Sequence, residues 1–410
     1  MEVTVKEQRA VAGNRGADVR SDCYVEIELT NSGGIRLEIQ SKVAVLFGES
    51  IRQLIREVLR FFKIETAQVT LEDSGALPFV ITARLEAAIK QIIPTDREFL
   101  PELLPENTVT TTRDRYRRSR LYLPGNTPKL FINAGLHKAD GIILDLEDSV
   151  APAKKDEARY LVRNALRTNN FYGCERMVRI NQGERGLADL DFVVPHYANV
   201  ILVPKCEDTD YLSQIDQKVQ AIKKAKGLDY PVYLMPIIES AKGVLMAYEI
   251  ATASPNVVAL AIGLEDYTAD LGTQRTREGS ESFFARSSLV NAARAAGVQA
   301  IDSVFSDVGD QEGLRQTVME SKALGFEGMG CIHPRQVPVI HDAFAPTDAE
   351  IEKAQKIVSA FIEAEQKGLG VVALGSKMID PPVVKRAQKT IAMAIDSGRL
   401  PENWRATYEQ

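Results

Sequence analysis

Cysteine is scarce in this chain. The four residues, Cys23, Cys174, Cys206 and Cys331, include no C-x-x-C pair. That spacing indicates neither a zinc site nor a disulfide framework, and free thiols suit a reducing cytoplasm. The four histidines (His137, His196, His333 and His341) are scattered without metal-ligand spacing. No segment approaches the ~20 apolar residues of a membrane span. The opening MEVTVKEQRA has no apolar run and no signal-peptide character, so the expected location is the cytoplasm. Positive charge is not in excess. The net charge is −6, and basic residues are interleaved with acidic ones, which argues against a nucleic-acid surface. Nothing matches a P-loop, a flavin motif or a Ser-His-Asp triad. The one basic run is Arg113, Arg115, Arg117, Arg118 and Arg120. It reads as a solvated linker or, alternatively, as an electropositive collar near the mouth of a site for anions.

What is present is an ordinary globular composition, 45% hydrophobic and 26% charged over 410 residues. That length allows two or three domains, one of which could be a barrel of about 250 residues. In residues 1–95, Tyr24–Thr30 and Ile35–Gln40 alternate apolar and polar side chains, as half-buried strands do. Between them lies the turn Asn31-Ser32-Gly33-Gly34. Val43 to Phe62 has helical spacing, Gln68–Glu72 reads as a strand, and Pro78–Ile93 as a further strand and helix. The result is a small α+β unit. Residues 96–116, rich in proline and charge, read as a linker.

From residue 117 to 345 eight short apolar runs recur: Leu121–Leu123, Gly141–Leu146, Met177–Ile180, Val200–Val203, Val232–Ile238, Val257–Ile262, Ala300–Val304 and Gly328–Ile332. Helical stretches such as Lys154–Arg167 and Phe283–Ala296 separate most of them. Strands covered by helices on their outer faces have this apolar character, and eightfold alternation predicts a (β/α)8 TIM barrel. A doubly wound open sheet is the alternative, but no G-x-G-x-x-G follows the first strand. Residues 346–410 form a C-terminal helical extension. Its first helix opens on the capping box Thr347-Asp348-Ala349-Glu350, its second on Pro381-Pro382.

Active sites in such barrels lie at the C-terminal strand ends. Those ends carry Pro124-Gly125-Asn126, Asp145-Leu146-Glu147-Asp148, Arg179-Ile180-Asn181, Pro204-Lys205, Glu239-Ser240, Glu265-Asp266, Asp302 or Asp307, and His333-Pro334-Arg335. Carboxylate ligation with room for water and substrate oxygens suits Mg²⁺. Arg179 would face the metal and hold a carboxylate or a developing oxyanion. Taken singly, Asp145 and Asp148 read equally as helix caps or surface ion pairs.

The same stretches carry a resemblance. RRSRLYLPGNTPKL (117–130), GIILDLEDSVAPAKKDEAR (141–159), IIES (237–240), AIGLEDYTADLGTQRTREGSE (261–281), IHPRQ (332–336) and GLGVVALGSKMIDPPVVKRA (368–387) are similar to the β subunit of citrate lyase. That family lies within the wider aldolase family of malyl-, citramalyl- and citryl-thioester lyases. The resemblance implies Glu239 and Asp266 as metal ligands, Arg179 as the substrate arginine, and Glu147 and Asp148 near the metal waters, with Gly125 beside the substrate. It also implies that Asp380 serves a neighbouring subunit as acid or base, in a homo-oligomer that is a trimer or a multiple of one. AVAG (10–13), SKVAVLFGESIRQLIREVL (41–59) and AQVTLEDSGALPFVITARLEAAI (67–89) resemble the acyl carrier (γ) subunit of citrate lyase. A serine there carries a phosphoribosyl-dephospho-coenzyme A arm, for which Ser21 is the nearby candidate. A citrate lyase α-type subunit would then be a partner. The implied reaction is Mg²⁺-dependent cleavage of a citryl or citramalyl thioester on the carrier. The alternatives are a lyase for free malyl- or citramalyl-coenzyme A thioesters and a non-catalytic scaffold subunit. His333 bears on the first of these, since IHP is common in the coenzyme-A-using relatives.

Overall fold

The computed structural model describes residues 8–366, 372–374 and 377–405. Two units are built in sequence order. The first is a four-stranded sheet of order β1-β2-β4-β3, with β1 (Arg9–Gly13), β2 (Cys23–Leu29), β3 (Ile35–Ser41) and β4 (Ala67–Asp73). The helices α1 (Ala44–Phe61) and α2 (Pro78–Ile92) complete it. β1 pairs antiparallel with β2, and β3 runs parallel to β4. Two details differ from the sequence reading. Arg9–Gly13 is a strand, and Pro78–Ile92 is helix throughout, with no strand before it.

The second unit is a closed barrel of eight parallel strands, β5 (Ser119–Pro124), β6 (Gly141–Asp145), β7 (Glu175–Arg179), β8 (Val200–Val203), β9 (Tyr233–Ile238), β10 (Ala259–Ile262), β11 (Gln299–Asp302) and β12 (Gly328–Cys331). Each of the eight apolar runs supplies one of them. β12 closes onto β5 through Met329–Ser119, Gly330–Arg120 and Cys331–Leu121. Inside the barrel, Ile143, Met177, Leu202, Met235 and Ile301 form an inner core of their own. The outer faces pack on the surrounding helices.

The tail forms the helices Asp348–Gln366 and Pro381–Asp396, which pack together over their own apolar cluster around Ile357, Val384, Ile391 and Trp404. The capping box forms as expected: Glu350 N–H donates to Thr347 Oγ1 at 3.2 Å, and Thr347 N–H to Glu350 Oε2 at 2.8 Å. In the stretch 368–387, residues 368–371 and 375–376 lie outside the described residues. Among the described residues no helix is long and apolar enough to cross a membrane.

The two units are locked together. α2 packs against the barrel helix α3 (Lys155–Thr168), and Arg84 is fully buried in the seam. Its guanidinium donates to both oxygens of Asp22 (3.1 and 2.9 Å), to Glu157 Oε1 (3.1 Å) and to Asn126 Oδ1 (2.6 Å). Glu157 also accepts from Gly13 N–H at 2.9 Å. A second buried pair, Arg163 with Glu86, crosses the same seam at 2.6 Å. The segment expected to be a free linker is tied down as well. Asn107 donates to the carbonyls of Leu166 and Asn169, and Arg176 donates to the Val109 carbonyl. The segment read as a linker is therefore fixed against the barrel.

The basic run is corrected too. Arg117 and Arg120 are buried, at 0% and 1% exposure, so the run is neither a solvated linker nor a collar. Arg117 makes two hydrogen bonds to Glu175, at 2.7 and 2.8 Å.

Candidate active site

A cavity of about 310 Å³ opens at the C-terminal end of the barrel. Arg120, Tyr122, Asp145, Arg179, Glu239 and Asp266 all line it. Apolar strands carry Asp145, Arg179 and Glu239 to the rim, since burial fixes the strand register and the residues at the strand's end emerge at the mouth.

Arg179, the last residue of β7, makes a fork-to-fork pair with Asp145, the last residue of β6. Nε and Nη2 each lie 2.7 Å from a carboxylate oxygen. Neighbouring parallel strands place the two side by side, in the register Asp145–Arg179. Nη1 reaches Glu147 Oε2 at 3.0 Å and lies 3.8 Å from the exposed Asp148. Burial opposes the charge of Arg179, but the bonds and charge of Asp145 outweigh it and hold its pKa above the ordinary arginine value. Burial likewise opposes ionisation of Asp145, and Arg179 outweighs that and holds it low. Glu147 is raised, chiefly by burial. It stands behind Arg179 and takes a further bond from Gln182 at 2.7 Å.

Glu239 follows β9 and is 6% exposed. Burial pushes its pKa up to about 8; the Lys205 N–H bond opposes this, and the charges of Asp266 and Glu147 add to it. A Cβ on Gly263 would stand 2.5 Å from Glu239 Oε2, so only glycine lets the carboxylate occupy this place. Asp266 lies in the short helix Leu264–Asp270 after β10, with the Lys205 ammonium 3.3 Å away. The acid Oε1 of Glu239 accepts from Lys205 N–H at 2.6 Å. A buried acid with a raised pKa, beside a second acid and a half-exposed ammonium, is a donor set short of positive charge, and it fits a divalent cation. Among the described residues no group of three or more His, Cys, Asp or Glu side chains converges on a metal position. Two carboxylates leave the remaining positions to water and substrate, as magnesium prefers.

The other expected residues stand as follows. Gly125 does not line the cavity. Its N–H donates to Asp145 O at 2.7 Å, and a Cβ there would meet that oxygen at 2.4 Å, so it serves the close approach of β5 and β6. Asp380 is exposed and caps the helix Pro381–Asp396 through Val383 N–H at 3.1 Å, outside the cavity of its own chain. Ser21 is half-buried with a left-handed φ of 53°. It precedes Asp22, which Arg84 links to Asn126, two residues past the cavity-lining Pro124. His333 lies at the end of β12, and its Nδ1 accepts from Arg335 N–H at 3.2 Å.

Sequence reasoning missed Asp145 as the partner of Arg179, Lys205 as the bridge between the rim acids, and Arg120 as a cavity residue. The equal distance of Asp145 and Arg179 from the ends of their apolar runs was the available signal for the first pair.

Comparison with known proteins agrees with the two-unit fold. Residues 118–334 match the family model described as HpcH/HpaI aldolase/citrate lyase. Residues 7–92 match an acyl-carrier family model described as malonate decarboxylase delta subunit (MdcD). The citrate lyase subunit beta of Haemophilus influenzae is 41% identical over 283 residues, covering 68% of this chain and 97% of that one. The mitochondrial citramalyl-CoA lyase of Mus musculus is 33% identical over 317 residues, covering 72% and 94%. The solved protein CitE of Mycobacterium tuberculosis, in complex with magnesium, acetoacetate and coenzyme A, matches with a TM-score of 0.56 at 29% identity. It covers 69% of this chain and 99% of that one.

Proposed function

The chain belongs to the HpcH/HpaI aldolase/citrate lyase family, and on that premise we propose that it is a magnesium-dependent carbon–carbon lyase. Its substrate would be a citryl or citramalyl thioester on an acyl carrier, its products a 2-oxo acid and an acetyl thioester. The observation that carries the reading is the crowding of Glu239 and Asp266 at one rim, opposite an arginine held by two further acids.

Glu239 and Asp266 would hold Mg²⁺, which supplies a Lewis acid that acidifies the substrate hydroxyl and stabilises the oxygen that becomes the ketone. A base, for which Glu147 is the candidate, accepts the hydroxyl proton. The carbon–carbon bond then breaks and its electron pair passes to the carbon next to the thioester carbonyl. Arg179 donates to the negative charge that develops there, and Asp145 and Glu147 aim it. Asp148, exposed beside Arg179, contacts the substrate at the mouth. Asp380 of a neighbouring subunit gives that carbon its proton, which makes the active form a homo-oligomer, a trimer or a multiple of one.

The fused N-terminal unit supports delivery on an arm. Ser21 would carry a phosphoribosyl-dephospho-coenzyme A group from a fixed position beside the β5 loop, so that the arm moves and its base does not. Tethering raises the effective concentration of the thioester at the rim. A mass of the unmodified chain, measured on protein from its native cells, would remove Ser21 from this role. Free coenzyme A thioesters are the second reading, favoured by the relatives named citramalyl-CoA lyase and by the CitE complex with coenzyme A.

The test is a panel of citryl, citramalyl and malyl thioesters, each on coenzyme A and on the carrier arm. The expected result is Mg²⁺-dependent release of a 2-oxo acid from at least one of the first two. No turnover of any thioester would overturn the reading.

A further inference from the structure

The inward face of β5 carries Arg120, Tyr122 and Pro124 at two-residue spacing, and all three line the active-site cavity. Tyr122 lies under Arg179, whose guanidinium carbon is 5.3 Å from the ring centroid. Arg120 is two residues further down and forms part of the cavity floor.

Every other fully buried arginine in the chain has carboxylate partners. Arg84 pairs with Asp22 and Glu157, Arg117 with Glu175, and Arg163 with Glu86. Arg120 has none. Its Nη1 contacts only the Met235 sulfur, at 2.9 Å. Its Nε is buried without a hydrogen-bond partner among the described residues. The carboxylate whose charge reaches it, Glu175, is already held by Arg117. A thioether is a weak acceptor for a group with five donors. Burial accordingly works against its charge and lowers its pKa.

A buried charge with no partner is strongly unfavourable unless something pairs with it. The cavity acids are otherwise engaged: Asp145 holds Arg179, Asp302 pairs with Arg286, Glu265 pairs with Arg275, and Glu239 and Asp266 stand at the rim around Lys205. We propose that Arg120 is a specificity residue that receives a carboxylate of the bound ligand. It thereby selects substrates whose 2-oxo acid half carries a second carboxylate over those that carry a methyl group. This rests on the lyase reading above, in which the 2-oxo acid half is held at the rim acids and its far end points down the barrel. Guanidinium and carboxylate match as a planar fork, and a site built around such a pair rejects the ligand that lacks it, because the polar group is then left unpaired.

The experiment is equilibrium binding of oxaloacetate and of pyruvate to the full chain with Mg²⁺ present, by titration calorimetry. The unmodified chain is expected to bind oxaloacetate more tightly by a factor of about 30 or more. In Arg120→Met the ratio falls to about threefold or less, through loss of oxaloacetate affinity with pyruvate unchanged. Arg120→Lys keeps the charge and gives an intermediate ratio. Melting without ligand supplies the control: Arg120→Met should melt at the same temperature or higher, because an unpaired buried charge is gone. If Arg120→Met does not fold, the proposal falls on that result. Equal binding of the two acids by the unmodified chain overturns this proposal and leaves the lyase reading standing. Binding of neither acid overturns both.

Discussion

The main-chain N–H of Lys205 donates to Glu239 Oε1 at 2.6 Å, while its ammonium lies 3.3 Å from Asp266. One residue thus contacts both rim acids. Its backbone is in the left-handed region, at φ 47°, which few residues other than glycine adopt. The rim therefore holds this conformation for the contact it makes. Lys205→Met keeps the stem and the main-chain bond and removes only the charge. The expected outcome is a lower melting temperature without Mg²⁺ and a larger rise on its addition, with metal affinity increased severalfold because no ammonium competes for Asp266. Thermal melts across a magnesium series read this. An unchanged magnesium response would mean that the ammonium does not share the metal position.

The seam between the two units depends on Arg84. Arg84→Met leaves Asp22 and Glu157 buried without their cation, and breaking one side of such a network costs about 3–5 kcal/mol. The variant should melt in two steps and be cut by protease within residues 94–116 faster than the unmodified chain. Replacing Asp22 and Glu157 by their amides in the same chain should recover part of the loss. A single unshifted transition would contradict the locked seam.

Asp380 stands outside its own cavity, so active sites assembled between subunits should complement one another. Asp380→Asn and Asp266→Ala chains are each expected to be inactive alone. Co-refolded in equal amounts, they should recover a fraction of the activity, since some interfaces pair an unaltered rim with an unaltered Asp380. No recovery in a mixture shown to form mixed oligomers would place the proton donor elsewhere.

His196 is 3% exposed and shares a 3.1 Å contact with Arg167. Burial, with Arg167 and Arg163 adding repulsion, lowers its pKa to about 3. The unfolded chain takes up this proton near pH 6.5 and the folded one does not until about pH 3. The stability it supports is thus present above pH 6.5 and is lost as pH falls through that window. Between pH 7 and pH 4 the loss is on the order of 3 kcal/mol. Asn in its place keeps an acceptor for Arg167 and does not titrate, so His196→Asn should flatten that part of the stability curve, as denaturant melts at pH 7, 5.5 and 4 would record.

Much of the barrel was legible in the sequence, because strands buried on both faces are continuous apolar runs and eight of them stand out between polar helices. The strand Arg9–Gly13 was missed since it is short and its inward residues are alanines, which carry little strand signal. α2 was misread because nearly all of it is buried, between the sheet and α3. Without a polar face it has no helical period, and Phe79-Val80-Ile81 then reads as a strand. The site was legible as a set of strand ends but not as a set of pairs. Arg120 looked solvated among its charged neighbours, and the lack of a partner for it is visible only once the barrel closes. Glu175, the partner of Arg117, lies 58 residues along the chain.

The central claim is tested most directly by Mg²⁺-dependent thioester cleavage in Asp266→Ala, measured against the unmodified chain with melting temperatures taken in parallel. The account predicts a loss of about 10³-fold or more, corresponding to ~4 kcal/mol of transition-state stabilisation, that added Mg²⁺ does not restore in a chain that still folds. Activity unchanged in that variant would contradict the assignment of the metal to Glu239 and Asp266.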